Sequence, residues 1–337
     1  MADRDTAMFL GYPFDKELFI QMWTEAPDPI LTAMLNSGAM VQDSLIGNRI
    51  SGDGNYYTIP FYNPLEGDPS NYNGMTDVNV TETTGTSQSG IVYGRSKGFM
   101  ARDFQGELSG SDPMGHIART VARYWARQRQ RILIGILDGV FNTTDSGAFA
   151  TEFKSTHILD TGASIGVTDA NRLMTKSMGD HKQEYGMAIM HSIVAERLEN
   201  LQVLEFWKQT MADGIQRPLP LASYNGLTVI IDDGVPVNGN EYTTYLFGNG
   251  VLRQANGRVD NPTGVERDEI KYGGIETLVT RLRETVHPNG FHYTIPATGW
   301  TESPTDAQLF DGDNWSVRFN PKAIALSKLI TTESPII

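Results

Sequence analysis

The chain has 337 residues, 27 basic and 40 acidic, for a formal net charge of −13 and a pI near 4.9. Such a field repels phosphate at long range, which excludes nucleic-acid binding by the whole surface and leaves only local basic stripes. The lack of cysteine excludes disulfides, thiol catalysis and Cys-ligated zinc or iron–sulfur centres. No secretory h-region opens the sequence and no apolar run spans a bilayer, so no membrane partner is expected.

Residues 1–46 hold one helix signal. Asp28 fits an N-cap, Pro29 fits N1, and an apolar run from Ile30 ends near Gly38. Around it Phe9, Tyr12, Phe14, Phe19 and Trp23 follow no period, which suits an arm lying on another surface. Residues 47–110 are rich in Gly, Asn, Thr, Ser, Pro and Tyr, with short strand-like pieces at 56–59, 78–81 and 91–93. A polar excursion of that length is disordered, a functional lid, or a hairpin supported by a neighbour.

A long helix is predicted next. Asp112 fits its N-cap and Pro113 its N1, and Ile117, Val121, Trp125, Ile132, Ile136 and Val140 form an apolar stripe over about 28 residues, ~42 Å. Beside that stripe Arg119, Arg123, Arg127 and Arg131 recur every four residues, with Arg129 close by and no acid between Asp112 and Asp138. Residues four apart share nearly one helix face, so these cations repel one another unless anions come from elsewhere. The expected partners are Asp53, Glu66, Asp68, Asp77 and Glu82 of the excursion, or acids of a neighbouring copy. Bidentate arginine–carboxylate pairs would then fix subunit register. A phosphate-facing role and an ordinary solvated face are the alternatives.

Further helices are predicted from Thr168-Asp169 to Gly179, and after His191, with Val194, Leu198, Leu201 and Leu204 turned to a core. Strands are predicted at 226–231 and 242–247, a hairpin of 277–286 with 291–295 about Pro288-Asn289-Gly290, and a last strand near Trp315. Helices and strands mix without βαβ regularity, so the fold class is α+β.

Chemical motifs are few. Asp160-Thr161-Gly162 matches the loop of aspartic proteases, but its only second match, Asp145-Ser146-Gly147, is too near in sequence to form a second lobe. Gly162-Ala163-Ser164-Ile165-Gly166 fits the nucleophile-elbow pattern without the strand–turn–helix context it needs. The six histidines form no H-E-x-x-H or H-x-H pair; His287 and His292 flank the predicted turn and suit hydrogen bonding more than zinc. Asp232-Asp233-Gly234 and Asp311-Gly312-Asp313-Asn314 lack the bidentate Glu of calcium loops and read as turns. No cofactor is expected.

The order of these parts, with Met187–Ser192, Tyr224–Asp233, Tyr245–Gly250 and His287–Gly290 in sequence, resembles the major capsid proteins of tailed bacteriophages with the HK97-type fold. The resemblance covers most of the chain as ordered blocks. It implies an N-terminal arm at 1–46, an extended loop at 47–110, and a peripheral domain at 111–180 with its spine helix at 113–141. An axial domain at 181–274 and a return to the peripheral domain at 275–337 complete the division. It further implies an icosahedral shell of pentamers and hexamers around double-stranded DNA in the virion, assembled in the bacterial host cytoplasm, with no active site. Implied partners are a portal protein, a separate scaffolding protein, a decoration protein and non-specific contact with packaged DNA. Since Met1 is retained and no long helical segment precedes the arm, no scaffold cleavage is expected; Lys97 could serve as a cross-link donor, but no residue can be assigned to that chemistry, so no covalent cross-link is expected either. An encapsulin-like compartment on the same fold and a soluble hydrolase using the Asp160–Gly166 loop stand as alternatives.

Overall fold

The helix announced by the 3.6-residue period runs over Pro113–Phe141, 29 residues. The fold is taken from a computed structural model that describes residues 7–9, 12–14, 34, 38–50, 54–63, 65, 67–73, 75, 77–104, 113–210 and 216–333. Side chains of 7–9, 12–14, 113–115, 119, 205–210 and 216–221 fall outside that description. So do Asp112 and nearly all of the helix expected after Asp28.

In chain order, β1 (Ala7–Phe9) pairs antiparallel with β2 (Tyr12–Phe14). β3 (Met40–Gln42) leads into α1 (Ser44–Ile50), where Asp43 Oδ1 accepts from Leu45 N at 2.9 Å and caps the first turn. Ile46 and Ile50, one turn apart, are both buried with Tyr57 and Val92. The excursion is a hairpin of β4 (Tyr56–Tyr62) and β5 (Gly85–Ile91), in register from Tyr56↔Ile91 to Tyr62↔Gly85. The sequence GTSQSGI of β5 has no apolar alternation, so its strand state comes from pairing with β4, not from propensity. Conversely, the strand expected at 78–81 is not formed.

β6 (Tyr93–Arg102) precedes the long helix, α2 (Pro113–Phe141). Then come α3 (Ala148–His157), which no sequence signal announced, β7 (Ile158–Asp160), and α4 (Asp169–Met178), ended as predicted by Gly179 at φ 60°. β8 (Tyr185–Met190) is followed by α5 (Ser192–Asn200), whose N-cap is His191, its Nδ1 accepting from Ile193 N at 3.2 Å. Val194 and Leu198 are buried as expected; Leu201 is exposed instead, because α5 stops before it.

The remaining elements are β9 (Glu205–Thr210), β10 (Gln216–Tyr224), β11 (Leu227–Ile231), β12 (Val237–Asn238), β13 (Glu241–Gly248), β14 (Leu252–Asn256), β15 (Thr263–Asp268), β16 (Ile275–Pro288), β17 (Phe291–Tyr293), α6 (Asp306–Phe310), β18 (Trp315–Val317) and β19 (Leu326–Thr332). One sheet has the order β7-β19-β13-β8-β11-β10-β9, with β12 beside β13. Its central strands are buried on both faces, and their two-residue alternation divides the interior. Met187, Ile189, Tyr245 and Phe247 join the core around α2, while Ala188, Met190 and Leu246 join a second core with α4 and α5.

The second sheet is built on β16, with β6 along one edge and β15 then β14 along the other; β3 pairs parallel to β14. Here the predicted hairpin about Pro288 fails. The end of β16 already pairs with β14 at Leu252↔Pro288, Gly290 at φ 93° turns the chain away, and β17 pairs with β18.

Candidate assembly surfaces

The long helix divides along its length. From Ile132 to Phe141 it is enclosed, with Ile132, Leu133, Ile134, Ile136, Leu137, Val140 and Phe141 all buried. Its four-residue arginine spacing continues there as Gly135 and Gly139. A Cβ on Gly135 would collide with the Phe310 ring, and one on Gly139 would lie 2.9 Å from the Phe310 carbonyl oxygen. These glycines therefore let α6 approach the helix backbone.

From His116 to Arg131 only one side of the helix is covered. Trp125 is buried and donates from Nε1 to Thr280 Oγ1 at 3.1 Å. Arg129 reaches the buried Glu284 on β16, Nε to Oε2 at 2.9 Å, and the Tyr93 hydroxyl donates to the other oxygen of that carboxylate at 3.1 Å. Arg131 lies 3.7 Å from Asp306, which Arg95 also grips at 2.6 Å. Two of the helix arginines thus find their acids on the 275–337 segment. Arg123 and Arg127 are exposed, with no carboxylate within 4.0 Å among the described residues. The Arg119 side chain is outside the description.

The excursion carries the opposite charge. Asp68, Asp77 and Glu82 are exposed, while Asp53 and Glu66 lie outside the described residues. From the end of β4 to the start of β5 the described residues include no strand or helix, and Tyr62, Leu65, Tyr72, Met75, Val78 and Val80 are presented to solvent, from 73% to 97% exposed. Sequence reasoning singled out the acids and passed over these apolar residues. Their signal was available: large apolar side chains in a polar stretch with no period that could bury them. The hairpin base, by contrast, is tied down. Tyr57 shares a hydrogen bond with Thr285 at 3.1 Å, Gln88 donates to Asn289 at 3.0 Å, and Phe61 meets Phe319 edge-on at 4.4 Å.

The enzyme-like motifs are absorbed into turns. Asp160 Oδ1 accepts from Gly162 N at 2.9 Å, Thr161 donates to Ala163 O at 2.7 Å, and Ser164 donates to Thr332 O at 3.2 Å. Asp232 accepts from Gly234 N at 2.8 Å, and Asp311 accepts from Asp313 N at 3.0 Å. His287 is fully buried beside Tyr57 and Trp315, and burial draws its pKa down to about 3. Among the described residues no group of three or more His, Asp or Glu is placed to hold a metal ion, and no helix is long and apolar enough to cross a membrane.

A long half-open helix, a projecting hairpin and two sheets that share it are the parts of an HK97-type capsid fold. Two solved capsids have this arrangement: that of cyanophage Pam1, at TM-score 0.54 and 12% identity over 84% of this chain and 86% of that one, and that of Ralstonia phage GP4, at 0.53 and 10% over 88% of each. The major capsid protein of Bacillus phage SPP1 is 30% identical over 305 residues, 88% of this chain and 90% of its own length. The chain belongs to the phage major capsid proteins. It is a shell-forming coat protein of the virion that assembles with copies of itself. No family profile matches the sequence.

Proposed function

We propose that copies of this chain form pentamers and hexamers of an icosahedral shell around packaged double-stranded DNA. In this reading the tip of the 47–110 loop of one copy lies across its neighbour. The observation that carries it is the exposure of six large apolar side chains on a hairpin whose base is fixed. At ~25 cal/mol per Å², covering such residues supplies the driving force for association.

The arginine stripe fits the same contact. Arg123 and Arg127, with Arg119 in line, meet acids of a neighbour's loop, for which Asp68, Asp77 and Glu82 are the exposed candidates and Asp53 and Glu66 the further ones. We retain the division into arm 1–46, loop 47–110, peripheral 111–180 and 275–337, and axial 181–274. β14 and β15 pair with β16, so the last two regions share a sheet. A separate scaffolding protein, a portal protein and a decoration protein complete the particle, assembly takes place in the bacterial host cytoplasm, and contact with DNA is non-specific.

The test is the double charge reversal Arg123→Glu/Arg127→Glu, expressed with and without a scaffold candidate and counted by negative-stain microscopy. Particle yield is expected to collapse while the unassembled chain keeps its helix content. Wild-type yield from the double variant would remove the arginine pairing from the shell contacts.

A further inference from the structure

The sequence contains six Asn-Gly pairs, beginning at Asn73, Asn225, Asn238, Asn249, Asn256 and Asn289. All six are primed for the same reaction, because glycine has no Cβ to keep the preceding side chain away from its amide nitrogen. Every pair but the one at Asn73 is described in full. The fold treats these five very differently.

In three pairs the glycine amide, which would be the nucleophile, is already committed. Gly250 N donates to Gly38 O at 2.7 Å, and Gly257 N donates to Arg283 O at 2.7 Å. Gly290 N donates to Gln88 Oε1 at 2.8 Å, while Gln88 Nε2 donates to Asn289 Oδ1 at 3.0 Å. In a fourth pair the side chain is held: Asn225, at φ 51° in the turn between β10 and β11, donates from Nδ2 to Val167 O at 3.0 Å. Asn238 is the exception. It ends β12, and both it and Gly239 of the following turn are exposed. Among the described residues neither the Asn238 side chain nor Gly239 N has a hydrogen-bond partner. Chain neighbours apart, no heavy atom lies within 4 Å of where a Gly239 Cβ would stand. β12 is only two residues long, so little pairing resists the local opening that brings the two groups together.

We propose that Asn238 is a site of spontaneous deamidation and isoaspartate formation in the folded chain. The Gly239 amide gives its proton to solvent base, and its nitrogen bonds to Asn238 Cγ. The Cγ–Nδ2 bond breaks, ammonia leaves with a proton taken from water, and a five-membered succinimide remains. Water then opens the ring at one carbonyl or the other. The products are aspartate and an isoaspartate whose main chain runs through the former side chain. One water is consumed and one ammonia released, with no oxidant or cofactor. The new carboxylate bears on the turn itself. Asn238 lies directly opposite Glu241, so the reaction sets two like charges across the hairpin and weakens the pairing of β12 with β13. The inference concerns the single chain and stands apart from the shell function.

The test is a peptide map of the purified full chain held folded at mildly alkaline pH, with isoaspartate counted by enzymatic methylation. The Asn238 peptide is expected to gain about 1 Da and to split into two products roughly tenfold sooner than the peptides of Asn225, Asn249, Asn256 and Asn289. Asn238→Gln, whose longer side chain does not close the five-membered ring, should lose the signal and fix the assignment. In urea the five sites are expected to react at similar rates. Conversion at Asn238 no faster than at the other four in the folded chain overturns the inference. So does a lead that persists unchanged in urea, because the difference would then lie in the flanking sequence and not in the fold. Either failure leaves the shell function untouched.

Discussion

The two halves of the long helix were written in the same period and do different work. From Ile132 onward every turn is enclosed and glycines replace arginines where α6 closes in. Up to Arg131 the helix is covered on one side only, and its other side carries cations the described chain leaves unmatched. The difference separates what holds one copy together from what a copy offers to the next. Arg127 and Arg129 sharpen it further: two residues apart, one faces solvent and the other sits on a buried carboxylate.

The largest effect is expected in the enclosed half. Leu137→Ala removes a fully buried side chain and should cost about 2–5 kcal/mol in urea unfolding of the free chain. A loss under ~1 kcal/mol would mean that half is less tightly packed than its burial says.

Next comes the paired arginine. Arg129→Ala strands Glu284 in the interior and should cost about 3 kcal/mol, whereas Arg127→Ala should change monomer stability by less than ~0.5 kcal/mol. Equal effects from the two substitutions would erase the distinction between the covered and uncovered sides.

A smaller, pH-dependent effect tests the hairpin base. Burial holds His287 down to about 3 and His157 to about 4, against an ordinary value of 6.5, with Arg253 of β14 and His292 of β17 adding to the pull on His287. Below pH 6.5 the unfolded chain takes up these protons and the folded chain does not. The stability tied to both sites is therefore full above pH 6.5 and is lost as pH falls toward 4 and then 3. The urea midpoint of the free chain should drop between pH 7.5 and 5.0, and His287→Phe should flatten part of that drop. An unchanged slope in the variant would show that His287 is not excluded from protons.

The smallest effect belongs to the protease-like loop. Asp160→Ala removes one turn hydrogen bond and should cost about 0.5–1 kcal/mol, with particle yield unchanged. Loss of a measurable peptidase activity in that variant would overturn the structural reading of the loop.

The sequence by itself determined those features set by local rules. The helix bounds of α2 and α4 follow from apolar period, Pro113 and Gly179, and the strands expected at 226–231 and 242–247 form at 227–231 and 241–248, where β-branched and aromatic residues dominate. The need of the arginines for outside acids was legible for the same reason, since i,i+4 repulsion depends on spacing alone. Tertiary structure decided the rest. β5 is a strand because β4 supplies its hydrogen bonds, the hairpin at Pro288 is lost because β14 already holds that end of β16, and Arg129 finds Glu284 from 155 positions away. Which apolar residues stay exposed is likewise no local property. Met75 and Ile270 read like core residues until the fold leaves each of them 93% exposed.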